Sequence, residues 1–271
     1  MANPDCRTCQ GMGYTTHGDD RHATARLCRG CMSPCPTCQD RLSRMERRPD
    51  GRVWAVPCEC GQLRYRVARF DEAKLPAFFH GKTVERWDTK TRDEQAVKQW
   101  ALAFQEKGKA GDRGILLVGG PGVGKTHLLC AILRFLTLER GIMCRFADSF
   151  QVLQDLKVAF DEGGNSAVLL EEICTVPVLV LDEVGKTRTD GWQHDVLDTI
   201  VSRRYDAGLT TLAATNYPLP KAGTPLDKPM SLAESTLRET LDRRVGARVY
   251  SRLMERCRTF TLTGEDRRLG G

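Results

Sequence analysis

Gly119-Gly120-Pro121-Gly122-Val123-Gly124-Lys125-Thr126 is the stretch from which the rest of this chain can be read. It has the spacing GxxxxGK[ST]. An apolar strand, Ile115–Val118, precedes it, and the pattern predicts a helix after it. The glycines let the backbone curl until its N–H groups converge on phosphate oxygens, and the helix N-terminus adds positive potential there. Lys125 then reaches the β- and γ-phosphates of ATP, and the Thr126 hydroxyl ligates Mg²⁺. The nucleotide-binding set is therefore Gly119, Gly120, Pro121, Gly122, Val123, Gly124, Lys125 and Thr126, with His127 next on the helix.

Working outward, strands are predicted at 115–118, 142–147, 176–181, 210–215 and 258–262. Helices are predicted at 124–139, 149–160, 166–173, 192–206 and 237–256. This alternation implies an α/β fold with a mostly parallel five-stranded sheet covered on both faces. Val178-Leu179-Val180-Leu181 reads as a buried central strand with Asp182 and Glu183 at its carboxyl end, where such sheets bind ligands. Asp182 is expected to hold Mg²⁺, mostly through water, and Glu183 to polarise the attacking water. A second buried strand, Leu212–Thr215, ends in Asn216, placed to orient water or meet the γ-phosphate. The segment 237–256 carries an apolar ridge (Leu241, Val245, Val249, Leu253) and an arginine ridge (Arg244, Arg248, Arg252, Arg256). The first is expected to pack on the sheet. The second should face outward, toward a neighbouring subunit's nucleotide or nucleic-acid phosphates.

The 12 cysteines divide unevenly, with eight inside residues 6–60. Cys6-x2-Cys9 precedes Cys28-x2-Cys31, and Cys35-x2-Cys38 precedes Cys58-x-Cys60. Two such pairs separated by a hairpin-length gap are the spacing of a tetrahedral four-thiolate Zn²⁺ site. Sequential grouping of the pairs is simplest, and a cross-braced arrangement is open. His17 and His22 read as solvated hairpin residues. A closed four-thiolate site is structural, so this module is expected to fold on its zinc rather than to catalyse. The chain thus divides into a cysteine-rich module (1–62), a mainly helical connector (63–110) and an ATPase domain (111–271). In the connector, Trp87 and the run Ala96, Val97, Trp100, Ala101, Phe104 trace an amphipathic helix.

The composition sets bounds. The 41 Lys and Arg against 35 Asp and Glu give a formal charge of +6. Eight thiolates on two Zn²⁺ would remove four charges and leave about +2, so bulk charge is no argument for nucleic-acid binding. No apolar run approaches the length of a membrane helix, and Met1–Thr16 lacks the apolar segment of a signal peptide. Reduced cysteines and no membrane segment make a cytoplasmic protein the expectation.

Residues 114–126, 176–185 and 210–216 resemble the AAA+ branch of P-loop ATPases. The stretch Leu241–Leu253, with Gly246-Ala247-Arg248-Val249-Tyr250-Ser251-Arg252-Leu253, and the tail Gly264-Glu265-Asp266-Arg267-Arg268 are similar to the bacterial replicative-helicase loaders (DnaC/DnaI-like) and the related IstB-like transposition helpers. The resemblance implies Arg252 as a finger acting in trans, Arg248 beside it at the subunit interface, Arg268 as a cis arginine sensing nucleotide state, and Asn216 as the first sensor. It also implies no separate lid domain, self-association through the ATPase domain, and a replicative hexameric helicase and single-stranded DNA as partners, the helicase being gripped by the N-terminal module. Transposition helpers of this type generally lack a cysteine-rich module, which favours the loader reading. A transposition helper, or a zinc adaptor whose assembly is gated by ATP, is the alternative. The most plausible DNA contact is the helix around Phe150–Phe160 with Lys157, although at helical spacing Phe150, Leu153, Leu156 and Phe160 fit a core face better.

Overall fold

The computed structural model describes residues 2–32, 34–161, 165–186, 191–221 and 239–268. It divides into two compact units, residues 1–81 with 134–143, and residues 82–133 with 144–271. The predicted connector 63–110 is therefore shared between the two. No helix among the described residues is long and apolar enough to cross a membrane.

The first unit holds two antiparallel hairpins, β1 (Tyr14–Gly18) with β2 (Ala23–Leu27) and β3 (Ser43–Arg47) with β4 (Val53–Pro57), followed by helix α1 (Glu59–Glu72). Its apolar core is small, built from Tyr14, Met32, Leu63, Phe70 and Leu75 together with buried cysteines. The Asp71 carboxylate ties α1 to the first hairpin by accepting from Ala25 N–H at 2.7 Å.

The second unit begins with α2 (Arg92–Lys107). Its start is a reciprocal cap: Thr91 Oγ1 accepts from Glu94 N–H (3.2 Å), and the Glu94 carboxylate accepts from Thr91 N–H (3.1 Å). Val97, Ala101 and Phe104 form its buried face, while Ala96 is exposed and Trp87 lies in the loop before it. Next come β5 (Gly114–Gly119), α3 (Lys125–Leu138), β6 (Cys144–Asp148), α4 (Ser149–Asp161), α5 (Ser166–Thr175), β7 (Val178–Asp182), α6 (Trp192–Asp206) and β8 (Thr210–Thr215). Helices α7 (Leu241–Val245) and α8 (Ala247–Arg256) and strand β9 (Cys257–Leu262) complete the unit. The five strands of this unit pair in the order β6-β7-β8-β5-β9, and every pairing is parallel. Strands β7 and β8 are buried along their whole length, as continuous apolar runs in a doubly covered parallel sheet require. This is the α/β architecture that the strand–helix alternation predicts, and it agrees with the AAA+ fold that the resemblance implies.

Two helical readings need correction. The helix predicted over 237–256 is two helices among the described residues, with 237 and 238 outside them. Gly246 breaks it with φ 83° and ψ 153°, a conformation open in practice to glycine alone. A Cβ there would also stand 2.6 Å from His194 Nε2. On α4 the core reading holds for Leu153 and Leu156 but not for Phe150 and Phe160, which are exposed. The buried stripe runs through Val152, Leu153 and Leu156, while Phe150 in the first turn and Lys157 and Phe160 near the end of the helix are exposed.

Gly246→Ala should therefore lower the unfolding free energy by about 1–3 kcal/mol, read in denaturant titration. A change within a few tenths would show that α7 and α8 run on as one helix.

Candidate functional site

The nucleotide loop lies between the carboxyl end of β5 and the first turn of α3. Gly122 and Gly124 have φ of 76° and 97°. Both also sit against other groups: a Cβ on Gly122 would fall 1.8 Å from the Asp266 carboxylate, and one on Gly124 2.7 Å from Trp87 Nε1. Val123 is buried and anchors the loop, while Pro121 is exposed at its tip.

Lys125 is only 7% exposed. Its ammonium donates to Gly119 O, Gly120 O and Asn216 Oδ1, each at 2.7 Å. One cation thus joins the loop to the carboxyl end of β8. Thr126 Oγ1 donates to Asp182 Oδ2 at 2.7 Å, which places both predicted Mg²⁺-holding groups side by side. Burial pushes the Asp182 carboxyl up, partly offset by the hydrogen bonds from Thr126 and from Glu183 N–H. Burial also brings Lys125 down to about 8, against the attraction of Asp182 and Glu183. Glu183 adopts a φ of 53°, unusual outside glycine, and its backbone carbonyl accepts from Ser149 Oγ at 2.8 Å. Its carboxylate pairs with Lys186, whose ammonium lies 5.6 Å from the Phe150 ring centre. His127 is half-buried beside the backbone of Thr83, and burial lowers its pKa, which favours the neutral ring.

The arginine ridge does not face outward as a row. Arg244 is buried. It donates to Gly185 O and Lys186 O, both at 2.7 Å, and so braces the loop that follows the acidic pair. Arg256 donates to Gly111 O (2.9 Å) and Gly208 O (2.7 Å). Arg252 pairs with Asp198 Oδ1 at 3.2 Å and with Ser202 Oγ on α6, and Arg248 stands 3.5 Å from the same Asp198. Of the four, Arg248 alone has an exposed side chain, because α6 packs on α8 and the Gly246 break turns α7 inward. The apolar ridge is buried as predicted.

The tail brings in residues that no motif marks. Arg267 N–H donates to Gly122 O at 3.2 Å. Its guanidinium lies 4.9 Å over the Trp87 ring, donates to Asp88 O at 2.8 Å and pairs with Glu94. Trp87 Nε1–H in turn donates to Gly124 O at 3.1 Å. Burial raises the Glu94 carboxyl, but the N–H groups of Lys90 and Thr91 and the Arg267 charge outweigh it and hold the pKa below the usual range. A buried tryptophan in an otherwise polar stretch and the Thr91-x-x-Glu94 cap were the available signals. Arg268 is exposed and lies 3.7 Å from Asp266, and its charge opposes that of Lys125.

The eight N-terminal cysteines form two groups, Cys6, Cys9, Cys28, Cys31 and Cys35, Cys38, Cys58, Cys60. This is the sequential grouping. Across the pairs the sulfurs lie 3.7 Å (Cys6–Cys28), 3.5 Å (Cys9–Cys31), 3.9 Å (Cys35–Cys58) and 3.3 Å (Cys38–Cys60) apart. Four sulfurs on one ion at 2.3 Å would stand about 3.8 Å apart, so both clusters fit zinc. Gly13 N–H donates to Cys9 Sγ at 3.3 Å. Neither His17 nor His22 belongs to either group.

The family described as "IstB-like ATP binding protein" matches residues 62–267. The chain belongs to this family. Among individual members it is 32% identical over 148 residues to the replicative helicase loader DnaC of Escherichia coli (strain K12), covering 54% of this chain and 60% of that one. It is 29% identical over 143 residues to the insertion sequence IS21 putative ATP-binding protein of Pseudomonas aeruginosa, covering 51% of each. The chain spans about half the length of several of the curated relatives that it matches. A crystal structure of the DnaC helicase loader superposes with a TM-score of 0.57 at 27% identity, covering 69% of this chain and 99% of that one. The family is one of ATP-binding proteins, and the residues around Lys125 are the candidate for its nucleotide site.

Its pH dependence follows from Lys125. Bound phosphate favours the charged lysine, so ATP binding takes up a proton once the pH exceeds the free lysine's value of about 8. ATP affinity should stay level below that value and fall by up to about tenfold per unit above it. A level profile to about pH 9.5 in equilibrium titration would remove Lys125 from the phosphate contacts.

Proposed function

We propose that this protein is an ATP-dependent loader of a replicative hexameric helicase, hydrolysing ATP at subunit interfaces and acting on single-stranded DNA in the cytoplasm. The observation that carries this reading is the convergence of Lys125, Thr126, Asp182 and Asn216 at one edge of the sheet, with Glu183 beside them. Lys125 neutralises β- and γ-phosphate charge, Glu183 orients the attacking water, and Asn216 reports the γ-phosphate. Thr126 and Asp182 hold Mg²⁺, which supplies charge neutralisation on the phosphates when bound. Arg252 acts on the nucleotide of the next subunit, with Arg248 at the same interface, and Arg268 senses nucleotide state in cis. Because Arg252 is paired with Asp198, that pair opens as subunits assemble. The exposed side chains of Phe150, Lys157 and Phe160 offer stacking and charge to single-stranded DNA. The cysteine clusters hold two Zn²⁺ and fold the N-terminal unit, which grips the helicase.

Lys125→Ala should abolish ATP turnover in the presence of single-stranded DNA, and retained turnover would sink the site assignment. Arg252→Ala should lower kcat by about a thousandfold or more with ATP binding intact. Asp198→Asn, which frees Arg252 without removing it, should keep turnover. If both variants lose ATP binding and assembly together, Arg252 is a structural residue. Metal analysis should give two zinc per chain, falling to about one in Cys38→Ser.

A second client is favoured by one observation: the IS21 protein matches at an identity close to that of DnaC. Under this reading the same ATPase serves a transposase. Co-purification decides between them. A hexameric helicase supports the loader, and a transposase replaces it.

A further inference from the structure

The ribbon β3–β4 is exposed on both sides. Its strands are joined by a turn, Pro49-Asp50-Gly51, with Gly51 at φ 82°. The register pairs Arg44 with Val56 and Glu46 with Trp54, and the Arg48 N–H···Arg52 O bond of 2.9 Å continues it to the tip. Directly opposed residues share a face. One face of the ribbon therefore carries Arg44, Arg48, Arg52, Glu46, Trp54 and Val56. Trp54 is 45% exposed, and the Arg48 guanidinium lies 4.5 Å from its ring centre. The single acid of this face, Glu46, is already paired with Arg44 at 2.6 Å. Arg52 makes no side-chain ion pair among the described residues.

A two-stranded ribbon with no cover is marginal alone. Here the second cysteine cluster holds it at its base, with Cys35 and Cys38 before β3 and Cys58 and Cys60 after β4. It is thus an arm held at its base, with residues 44–55 all exposed. A large aromatic ring left half in water, on a face that carries three arginines and a single acid already paired with Arg44, suits a ligand with flat apolar surfaces and repeated negative charge. An unstacked base on a phosphodiester strand has both. Arg44 and Arg48 are four residues apart, about 13 Å along the strand, so they meet different phosphates of the same chain. A protein docking face would need apolar area without so dense a positive rim.

We propose that the β3–β4 ribbon binds single-stranded nucleic acid, with Trp54 stacking on a base and Arg44, Arg48 and Arg52 contacting phosphates. This site adds to the single-stranded DNA contact proposed for α4 and does not depend on ATP. The test uses the full-length, zinc-loaded chain and labelled dT20 in fluorescence anisotropy, without nucleotide. Trp54→Ala should weaken binding by about five- to a hundredfold, and Trp54→Phe should restore most of it. Arg48→Ala with Arg52→Ala should reduce the slope of log affinity against log salt by about 1.4, two phosphate contacts. A 20-base-pair duplex should bind more weakly than dT20. Zinc content of two per chain certifies that each variant is folded.

Unchanged affinity and slope in the ribbon variants, with binding lost instead in Phe150→Ala/Phe160→Ala, would overturn the ribbon site and leave the α4 contact standing. No dT20 binding by the parent chain would remove both. Equal affinity for duplex would overturn the stacking. Ribbon variants that keep dT20 and lose capture of purified helicase would make the arm a protein contact and overturn the proposal.

Discussion

A buried ammonium and a buried carboxylate stand at the same edge of the parallel sheet, and much of the second unit is arranged around the cost of keeping them there. Lys125 and Asp182 are both almost wholly out of water. Desolvation works against each charge, drawing Lys125 down to about 8 and Asp182 up. The offset comes from fixed dipoles: two loop carbonyls and the Asn216 amide for the lysine, the Thr126 hydroxyl and a backbone N–H for the carboxylate. Those dipoles must sit at one place, which requires β5, β7 and β8 to end together. The parallel order β7-β8-β5 supplies that alignment. Phosphates and a divalent cation satisfy the same two charges better than carbonyls do, so the site is poised to exchange internal partners for ligand.

The loop that delivers Lys125 is held from outside the sheet. Trp87 bonds to Gly124 O, Arg267 lies over Trp87 and bonds to Gly122 O, and Glu94 anchors Arg267. The cap that starts α2 is therefore also the seat of the tail arginine. Glu94 serves both because it is buried and accepts from two backbone N–H groups as well as the guanidinium. Removing its charge would loosen the start of α2 and the tail over the nucleotide loop together.

What could be read in advance and what could not separate along a physical line. Strands β5 and β7 were legible because parallel strands buried on both faces are written as apolar runs, and β8 because its threonines flank a short apolar centre, Leu212-Ala213-Ala214. The P-loop was legible because its chemistry admits few spacings. The cysteine clusters were legible for the same reason, down to their sequential grouping. Trp87, Glu94 and Arg267 were not, since their association joins residues 173 positions apart through geometry rather than pattern. The Gly246 break was hidden by a heptad-like ridge that continues through it, because apolar spacing records which residues are buried and not whether one helix or two bury them. Phe150 and Phe160 failed for a related reason: periodicity marks a stripe but not how far along the helix it is covered, and these two lie in the first and last turns of α4.

The arginines of α7 and α8 show how one repeated residue type is put to different uses. Arg244 and Arg256 donate to backbone carbonyls of loops, where a guanidinium fork replaces the missing hydrogen-bond donors of irregular chain. Arg248 and Arg252 share the single carboxylate of Asp198. Two cations on one anion leave an unbalanced positive charge on that face of the helix pair. Arg252 and Asp198 are mostly buried and Arg252 also bonds Ser202, so the excess charge falls on the exposed Arg248. Against a second anion, a phosphate or a carboxylate brought by another molecule, it becomes an attraction at short range and in a drier setting. Asp198 thus keeps Arg252 in a defined position without fully neutralising it, which is what a residue proposed to act across an interface requires.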